Sequence, residues 1–240
     1  MNEVDELKLL LGEEYEVTEH IKIRQPTLRE IAQFGEQRYM SMLSAFVCSP
    51  FDMIAQLDKV GIDFTTISAY NLFCLMVTSQ PRSETSILFG DTDFTQYIVV
   101  NTENGIQLMH KESVVSEPVY NIIASCLRKM NNLAPPKYKK VGNELTKKKM
   151  IEFAYTDLRN AKRKKYKSNL AAMISAATNH PYFKYGINEV GNVKVYAFFD
   201  AIKRIGMDEN RQNLLTAIYS GNIDPSKINK RDYEWLKETE

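Results

Sequence analysis

The segment that begins at Thr27 carries the strongest helix-start signal in the chain. The Thr27 hydroxyl can accept the backbone N–H of Glu30, while the Glu30 carboxylate reaches back to the N–H of Thr27, as in a capping box. Ile31 and Phe34 then continue an apolar stripe at helical spacing. This pattern predicts a helix over residues 28–46.

The same pattern, a capping residue, an apolar stripe and a terminal glycine or proline, recurs along most of the chain. It predicts a mainly α fold. The polar run at residues 80–86 is expected to be a loop. Further helices are predicted over residues 2–11, residues 50–60, residues 66–77, residues 119–130, residues 144–178 as one long helix or two, residues 195–205 ending at Gly206, residues 209–220 ending at Gly221, and residues 224–238.

One interval changes the period from helix to strand. Residues 97–101 and 105–110 are β-branched or alternating runs on either side of an Asn-Gly turn, a strong hairpin signal. Residues 15–23 also place apolar side chains at even spacing, which favours a half-exposed strand and makes it a candidate third member of the same sheet. The predicted fold class is therefore mainly α with one small antiparallel β element.

Residues 131–143 form a connector rich in proline, glycine and lysine. It predicts a division into an N-terminal helical region with the β element, residues 1–133, and a C-terminal helical region, residues 134–240. One continuous domain is the alternative, because a chain of 240 residues fits either arrangement.

Composition excludes several classes of protein. Apolar residues make up 44% of the chain and charged residues 25%, which is ordinary for a globular protein. The apolar runs are far shorter than the roughly 20 residues of a membrane-spanning helix, and the acidic N-terminus does not resemble a secretory signal. We therefore expect a cytoplasmic protein without a membrane partner. Cys48, Cys74 and Cys126 are far apart and are expected to be reduced, mostly buried thiols.

The inventory of catalytic residues is thin. His20, His110 and His180 are isolated in sequence, and no phosphate-binding loop, dinucleotide fingerprint or nucleophile elbow occurs. His180 is expected to cap a helix end, and Asp91 and Asp93 are expected to form turns. The sequence predicts a protein that is not an enzyme, with no catalytic residue, no metal site and no cofactor.

The charge is segregated along the chain. Residues 137–167 contain twelve Lys or Arg against three acidic residues, a local charge of +9, so the rest of a chain with a formal net charge of +1 carries −8. One interpretation is the solvated face of an amphipathic helix, whose apolar face includes Ile151, Phe153 and Leu158. The others are a surface for an acidic protein partner, and a nucleic-acid site in which tyrosines stack on bases.

The candidate partner-binding residues are cations of this segment and one tyrosine among them. They are Lys137, Lys139, Lys140, Lys147, Lys148, Arg159, Lys162, Arg163, Lys164, Lys165, Tyr166 and Lys167.

Four stretches carry a family resemblance: "HIKIRQPTLREIAQFGEQRYMSM" at 20–42, "LRKMNNLAPPKYKKVGNELTKKKMIEF" at 127–153, "VYAFFDAIKRI" at 195–205 and "IYSGNIDPSKIN" at 218–229. In these stretches the chain resembles tail morphogenesis proteins of tailed bacteriophages that infect Gram-positive hosts, with tail assembly chaperone as the favoured role. The resemblance transfers no functional residue.

The resemblance implies a non-enzymatic tail assembly factor in the host cytoplasm, with other phage tail proteins such as the tape measure as partners. Self-association into a homo-oligomer stays open. The alternatives are a nucleic-acid-binding protein that uses residues 137–167, and a structural component of the virion neck or baseplate.

Overall fold

A computed structural model describes residues 4–103, 105–234 and 236, and 57% of the chain is helical. The predicted mainly α fold class is confirmed. Within the described residues the α-helices are, in chain order, α1 (Glu6–Leu10), α2 (Leu28–Phe34), α3 (Glu36–Val47), α4 (Ile54–Lys59), α5 (Ala69–Val77), α6 (Arg82–Phe89), α7 (Glu117–Met130), α8 (Glu144–Arg163), α9 (Asn169–Thr178) and α10 (Val195–Tyr219).

Among the described residues, the β-strands form two small antiparallel sheets. The strands are β1 (Tyr15–Thr18), β2 (Ile21–Ile23), β3 (Ile98–Thr102), β4 (Gly105–His110) and β5 (Ser113–Val115). The hairpin predicted near residues 97–110 is confirmed as β3 and β4, with Thr102 opposite Gly105. The strand β5, which the sequence analysis did not predict, extends that sheet to the order β3-β4-β5.

The prediction of one strand over residues 15–23, shared with that hairpin, is wrong. The segment is itself a hairpin, β1-β2, and it forms a separate sheet. Thr18 reverses the chain because its hydroxyl accepts the backbone N–H of Ile21 at 3.1 Å. Even spacing of apolar residues continues across this tight turn, so the pattern alone does not distinguish a hairpin from a strand.

The predicted helix over residues 28–46 is two helices, α2 and α3, separated by Gly35. The capping box is confirmed, with the N–H of Glu30 3.2 Å from the Thr27 hydroxyl and the Thr27 N–H 2.7 Å from the Glu30 carboxylate. Gly35 adopts a φ of 95°, which side chains other than glycine rarely tolerate, and this redirects the chain. A glycine within an apolar stripe does not by itself predict that the helix ends there.

The structure differs from prediction at residues 50–60, where the α-helix is shorter, and at residues 80–86, where there is an additional helix. Residues 50–52 form a single 3-10 turn that opens at Ser49, and α4 follows it. The prediction of a loop at residues 80–86 is wrong, because Arg82 begins α6. The first turn of α6 is polar, and its apolar residues come only in the second half, which buries Leu88 and Phe89.

The C-terminal part departs from prediction only in its later helices. Residues 144–178 form two helices, α8 and α9, which is the second of the two arrangements predicted for this segment. The helices predicted on either side of Gly206 are one continuous helix, α10, because Gly206 keeps a helical conformation. The helix predicted over residues 224–238 is instead two 3-10 turns at Pro225–Lys227 and Lys230–Tyr233. Residues 2 and 3 of the first predicted helix, and residues 235, 237 and 238 of the last, lie outside the described residues.

The main core lies between α3, α5, α6 and α7 and is centred on Phe46. The Phe46 ring lies 4.7 Å from the ring of Phe89 and 5.4 Å from that of Phe94, measured between centroids. Residues from both predicted regions share this core, among them Leu9 and Phe198. The predicted division at residue 133 stays a prediction.

A second apolar cluster lies beside the main core and matters for the basic segment. Its buried members are Ile54, Leu57, Phe64 and Leu72, contributed by α4, α5 and the chain between them. Residues of the connector and of α8 pack on its outer side. The three cysteines are free; Cys74 and Cys126 are buried and Cys48 is partly buried, as predicted.

Candidate partner-binding surface

The connector before α8 runs across the second apolar cluster without forming a helix or strand. The Tyr138 ring meets the Phe51 ring edge-on, with 5.7 Å between centroids, and Val141 packs on the same cluster. Lys137, Lys139 and Lys140 are exposed beside these contacts. The connector is therefore anchored by two apolar residues, Tyr138 and Val141, and its lysines stay in solvent.

The helix α8 begins at Asn143, whose side-chain oxygen accepts the N–H of Thr146 at 2.8 Å. Its inner face is apolar and places Met150, Ile151 and Ala154 against the second cluster. Since these positions recur at helical spacing, α8 lies along α4 with one side only.

Polar contacts hold α8 in the same place. The Lys147 ammonium lies 2.6 Å from the Asp63 carboxylate, and the Tyr155 hydroxyl donates to Asp58 at 2.9 Å. The Lys147 hydrogen bond and the Thr65 N–H lower the pKa of Asp63 to about 2. Lys147, a predicted partner-binding residue, therefore serves as a structural contact.

The outer face of α8 exposes large apolar side chains among cations. The side chains of Leu145 and Phe153 are 64% and 69% exposed. Lys148, Lys149 and Arg159 are exposed on the same helix. The prediction that Phe153 lies on the apolar inner face is wrong, because its side chain is largely exposed. Its position is roughly 105° around the helix from the centre of the Met150, Ile151 and Ala154 stripe, which places it outside the buried face.

The basic run that follows is not helical throughout. The helix α8 ends at Arg163, residues 164–167 are irregular, and Ser168 caps α9 by accepting the N–H of Ala171 at 2.8 Å. Residues 161–169 are all exposed. The interpretation of this run as part of one amphipathic helix is therefore corrected at Lys164.

Glu36 fixes the end of this exposed run to the helical core. Its carboxylate accepts the backbone N–H of Leu170 at 3.0 Å and hydrogen bonds from Ser168 and Tyr166. Partial burial alone would raise the pKa of Glu36, but these hydrogen bonds outweigh it and the pKa is lowered. Tyr166, also a predicted partner-binding residue, is half-exposed and takes part in this anchor.

The structure divides the predicted site residues between the two ends of α8. A helix of 20 residues is about 30 Å long, so the cations of the connector and first turns lie far from those after Arg159. Lys147 pairs with Asp63, whereas no other cation of residues 137–167 forms an ion pair with a carboxylate in the part of the chain that the structure describes. These cations, with Leu145 and Phe153, constitute what we call the α8 surface.

Elsewhere, the structure brings together two histidines that are far apart in sequence. His20 and His110 line an open cleft of about 520 Å³, and Asp91, Asp93 and Glu112 line it too. Among the described residues, no group of three or more His, Cys, Asp or Glu is arranged to hold a metal ion.

Local contacts explain the acidic residues of this cleft. The Asp93 carboxylate accepts the N–H of Thr95 at 3.1 Å, as expected of a turn-forming residue, and Asp91 pairs with Arg82. His180 lies at the end of α9, as predicted, and its backbone N–H donates to the carbonyl of Ala177 at 2.9 Å. Its side chain does not cap the helix, because Nε2 lies 2.8 Å from the Glu209 carboxylate.

The C-terminal third of the chain is similar to a known domain. Residues 161–240 match the model of the YomV second domain, a bacteriophage-associated family. The match covers a third of the chain and includes Lys162–Lys167 but not the first turns of α8. Neither the curated proteins nor the solved structures gave a match. Within the described residues, no helix is both long enough and apolar enough to cross a membrane.

Proposed function

We propose that this protein is a non-enzymatic bacteriophage tail assembly factor that binds tail structural proteins, such as the tape measure, in the host cytoplasm. The observation that carries the proposal is the outer face of α8, where Leu145 and Phe153 are exposed among cations that have no carboxylate partner in the described structure. A face of this kind fits a partner that offers apolar side chains together with acidic residues.

The chemistry of the α8 surface defines the partner. Exposed apolar side chains at helical spacing bind an amphipathic helix, and surrounding cations favour acidic residues on that helix. A long helical protein with acidic stripes, as expected for a tape measure, would meet both requirements. The contacts to Asp63 and Asp58 support this role, because they hold α8 in place before a partner binds.

The match of residues 161–240 to a bacteriophage-associated domain supports a phage origin. The resemblance of the four sequence stretches to tail morphogenesis proteins supports the finer role. A structural component of the neck or baseplate would differ by its presence in finished particles.

Nucleic acid is the second candidate partner, because Tyr138 and Tyr166 are exposed beside lysines and their rings can stack on bases. The salt dependence of binding distinguishes nucleic acid from a protein partner. Binding to phosphates weakens steeply and linearly on a logarithmic scale between about 50 and 200 mM salt, whereas a partly apolar protein interface weakens less.

The test is co-expression of the full chain with the tape-measure and tail-tube proteins of the same genome, followed by affinity capture and by titration with duplex and single-stranded DNA. We expect one tail protein to co-purify in nuclease-treated lysate at about 150 mM salt. Capture of no tail protein, together with binding of duplex or single-stranded DNA in the titration at the same salt concentration, would contradict the proposal.

A further inference from the structure

The strand β3 is the open edge of the three-stranded sheet. At the opposite edge, β5 is packed against α7, and the hydroxyl of Tyr70 donates to the carbonyl of Val115 at 2.6 Å. On β3, Ile98 and Val99 are 64% and 51% exposed although they point to opposite faces of the sheet. The strand therefore projects beyond the core with both faces in solvent.

The register of the hairpin determines which backbone groups of β3 are free. Thr102 is opposite Gly105 across a two-residue turn, and such a closing pair exchanges hydrogen bonds. Hydrogen-bonded and non-hydrogen-bonded pairs alternate in an antiparallel ladder, so Val100 also bonds to β4. The N–H and C=O groups of Val99 and Asn101 point away from β4, toward the open edge.

The sequence of β3 lacks the features that usually prevent an edge strand from pairing with another strand. Residues 97–102 read "YIVVNT" and contain no charged residue and no proline, the usual devices by which an edge strand avoids pairing. A β-branched, uncharged edge that projects from the core is suited to pairing with another strand.

We propose that β3 pairs antiparallel with β3 of a second copy of this chain and forms a continuous six-stranded sheet. The two-fold axis passes through Val100. Val99 then lies opposite Asn101 of the second copy. By symmetry, Asn101 lies opposite Val99 of the second copy. The free groups of both residues are satisfied by four hydrogen bonds in this register.

Self-complementarity favours a second copy over an unrelated extended peptide. In this register Ile98 lies opposite Thr102 of the second copy, and Glu103 lies opposite Tyr97, so no like charges face each other. A single strand pair is smaller than a standard protein interface. We therefore expect an association that becomes visible as the concentration of the chain rises.

Sedimentation velocity of the full chain over a range of concentrations tests the proposal, with two variants that are substituted at the same two positions. Val99→Lys with Asn101→Lys places lysine opposite lysine, and self-association should be lost. Val99→Lys with Asn101→Glu places lysine opposite glutamate, and self-association should be retained. Both variants face the uncharged Leu108 and Ile106 on β4, so their monomers should be equally stable.

A cross-link provides a second measurement that does not depend on either variant. Val100 faces its own copy in a non-hydrogen-bonded pair, where Cα atoms are about 4.5 Å apart, within disulfide range. Val100→Cys should form a disulfide-linked dimer under mild oxidation, and Glu103→Cys should not. The proposal is overturned by a wild-type chain that stays monomeric, by equal association of the two charged variants, or by binding of an extended peptide to β3 in place of a second copy.

Discussion

The carboxylate of Glu36 accepts the backbone N–H of Leu170 at 3.0 Å, although 134 residues separate them in the chain. This contact joins the first turn of α3 to the first turn of α9. It therefore fixes the end of the exposed basic run, residues 164–167, to the helical core.

Glu36→Ala should release this anchor. We expect amide hydrogen exchange to accelerate at residues 168–172, because the first N–H groups of α9 lose their acceptor. Hydrogen-exchange mass spectrometry measures this, with the exposed neighbour Gln37→Ala as the control. Unchanged exchange in Glu36→Ala would contradict the role of the carboxylate.

Asp63→Asn should remove part of the acid sensitivity of folding. The folded-state pKa of Asp63, about 2, lies below its ordinary value, so its ionised form stabilises the fold above about pH 4 and this contribution is lost as the pH falls toward 2. We expect a loss of about 0.2–1 kcal/mol at pH 7, as for a partly exposed ion pair. The difference from wild type should shrink toward pH 2.

Urea unfolding at a series of pH values measures this difference. Asp157→Asn is the control, because Asp157 is exposed and forms no ion pair within the described residues. A difference between Asp63→Asn and wild type that is independent of pH would argue against the ion pair with Lys147.

Gly35 and Gly206 should respond in opposite directions to substitution by alanine. Gly35→Ala forces a side chain into a φ of 95° and should destabilise the protein by about 1–3 kcal/mol. Gly206 is helical and a Cβ there would meet no other atom within 4 Å, so Gly206→Ala should stabilise it by about 0.5–1 kcal/mol. Denaturant unfolding of both variants measures the two signs, and equal signs would contradict the assignment.

Phe153→Ala should separate binding from folding. Because the side chain is largely exposed, we expect a change in stability below about 0.5 kcal/mol and a loss of partner affinity of about tenfold. Phe46→Ala is the opposite case and should cost about 3–5 kcal/mol of stability, since its ring is fully buried. Tail-protein binding that is unaffected by Phe153→Ala would exclude this residue from the interface.

Local signals in the sequence predicted what depends on a few neighbouring residues. The capping box of Thr27 and Glu30 and the Asn-Gly hairpin are of this kind, since their partners are within a few positions. The break at Gly35 was missed because a positive φ there is set by how α2 and α3 pack on other elements. The separate hairpin of β1 and β2 was missed because alternation does not reveal a reversal.

The candidate surface was also predictable only in part. Its cations could be recognised from composition, but their separation by the length of α8 requires the helix boundaries. The anchor of Glu36 on Leu170 leaves no local pattern, because its two partners are distant in sequence. Phe153 was predicted to lie on the apolar face of the helix, although its offset from the Met150, Ile151 and Ala154 stripe favours an exposed position.

We expect the α8 surface to bind its tail protein through the cations at residues 162–165. A titration of the co-purifying tail protein measures this with wild type, with Lys162, Arg163, Lys164 and Lys165 all changed to Glu, and with a control. The control changes four exposed lysines elsewhere to Glu and alters the net charge equally: Lys22, Lys111, Lys184 and Lys227.

Charge reversal at residues 162–165 should weaken binding by about tenfold or more, while the control variant should bind within about threefold of wild type. Equal affinities of the wild type and the 162–165 variant would contradict this expectation and would leave these cations as a solvated surface.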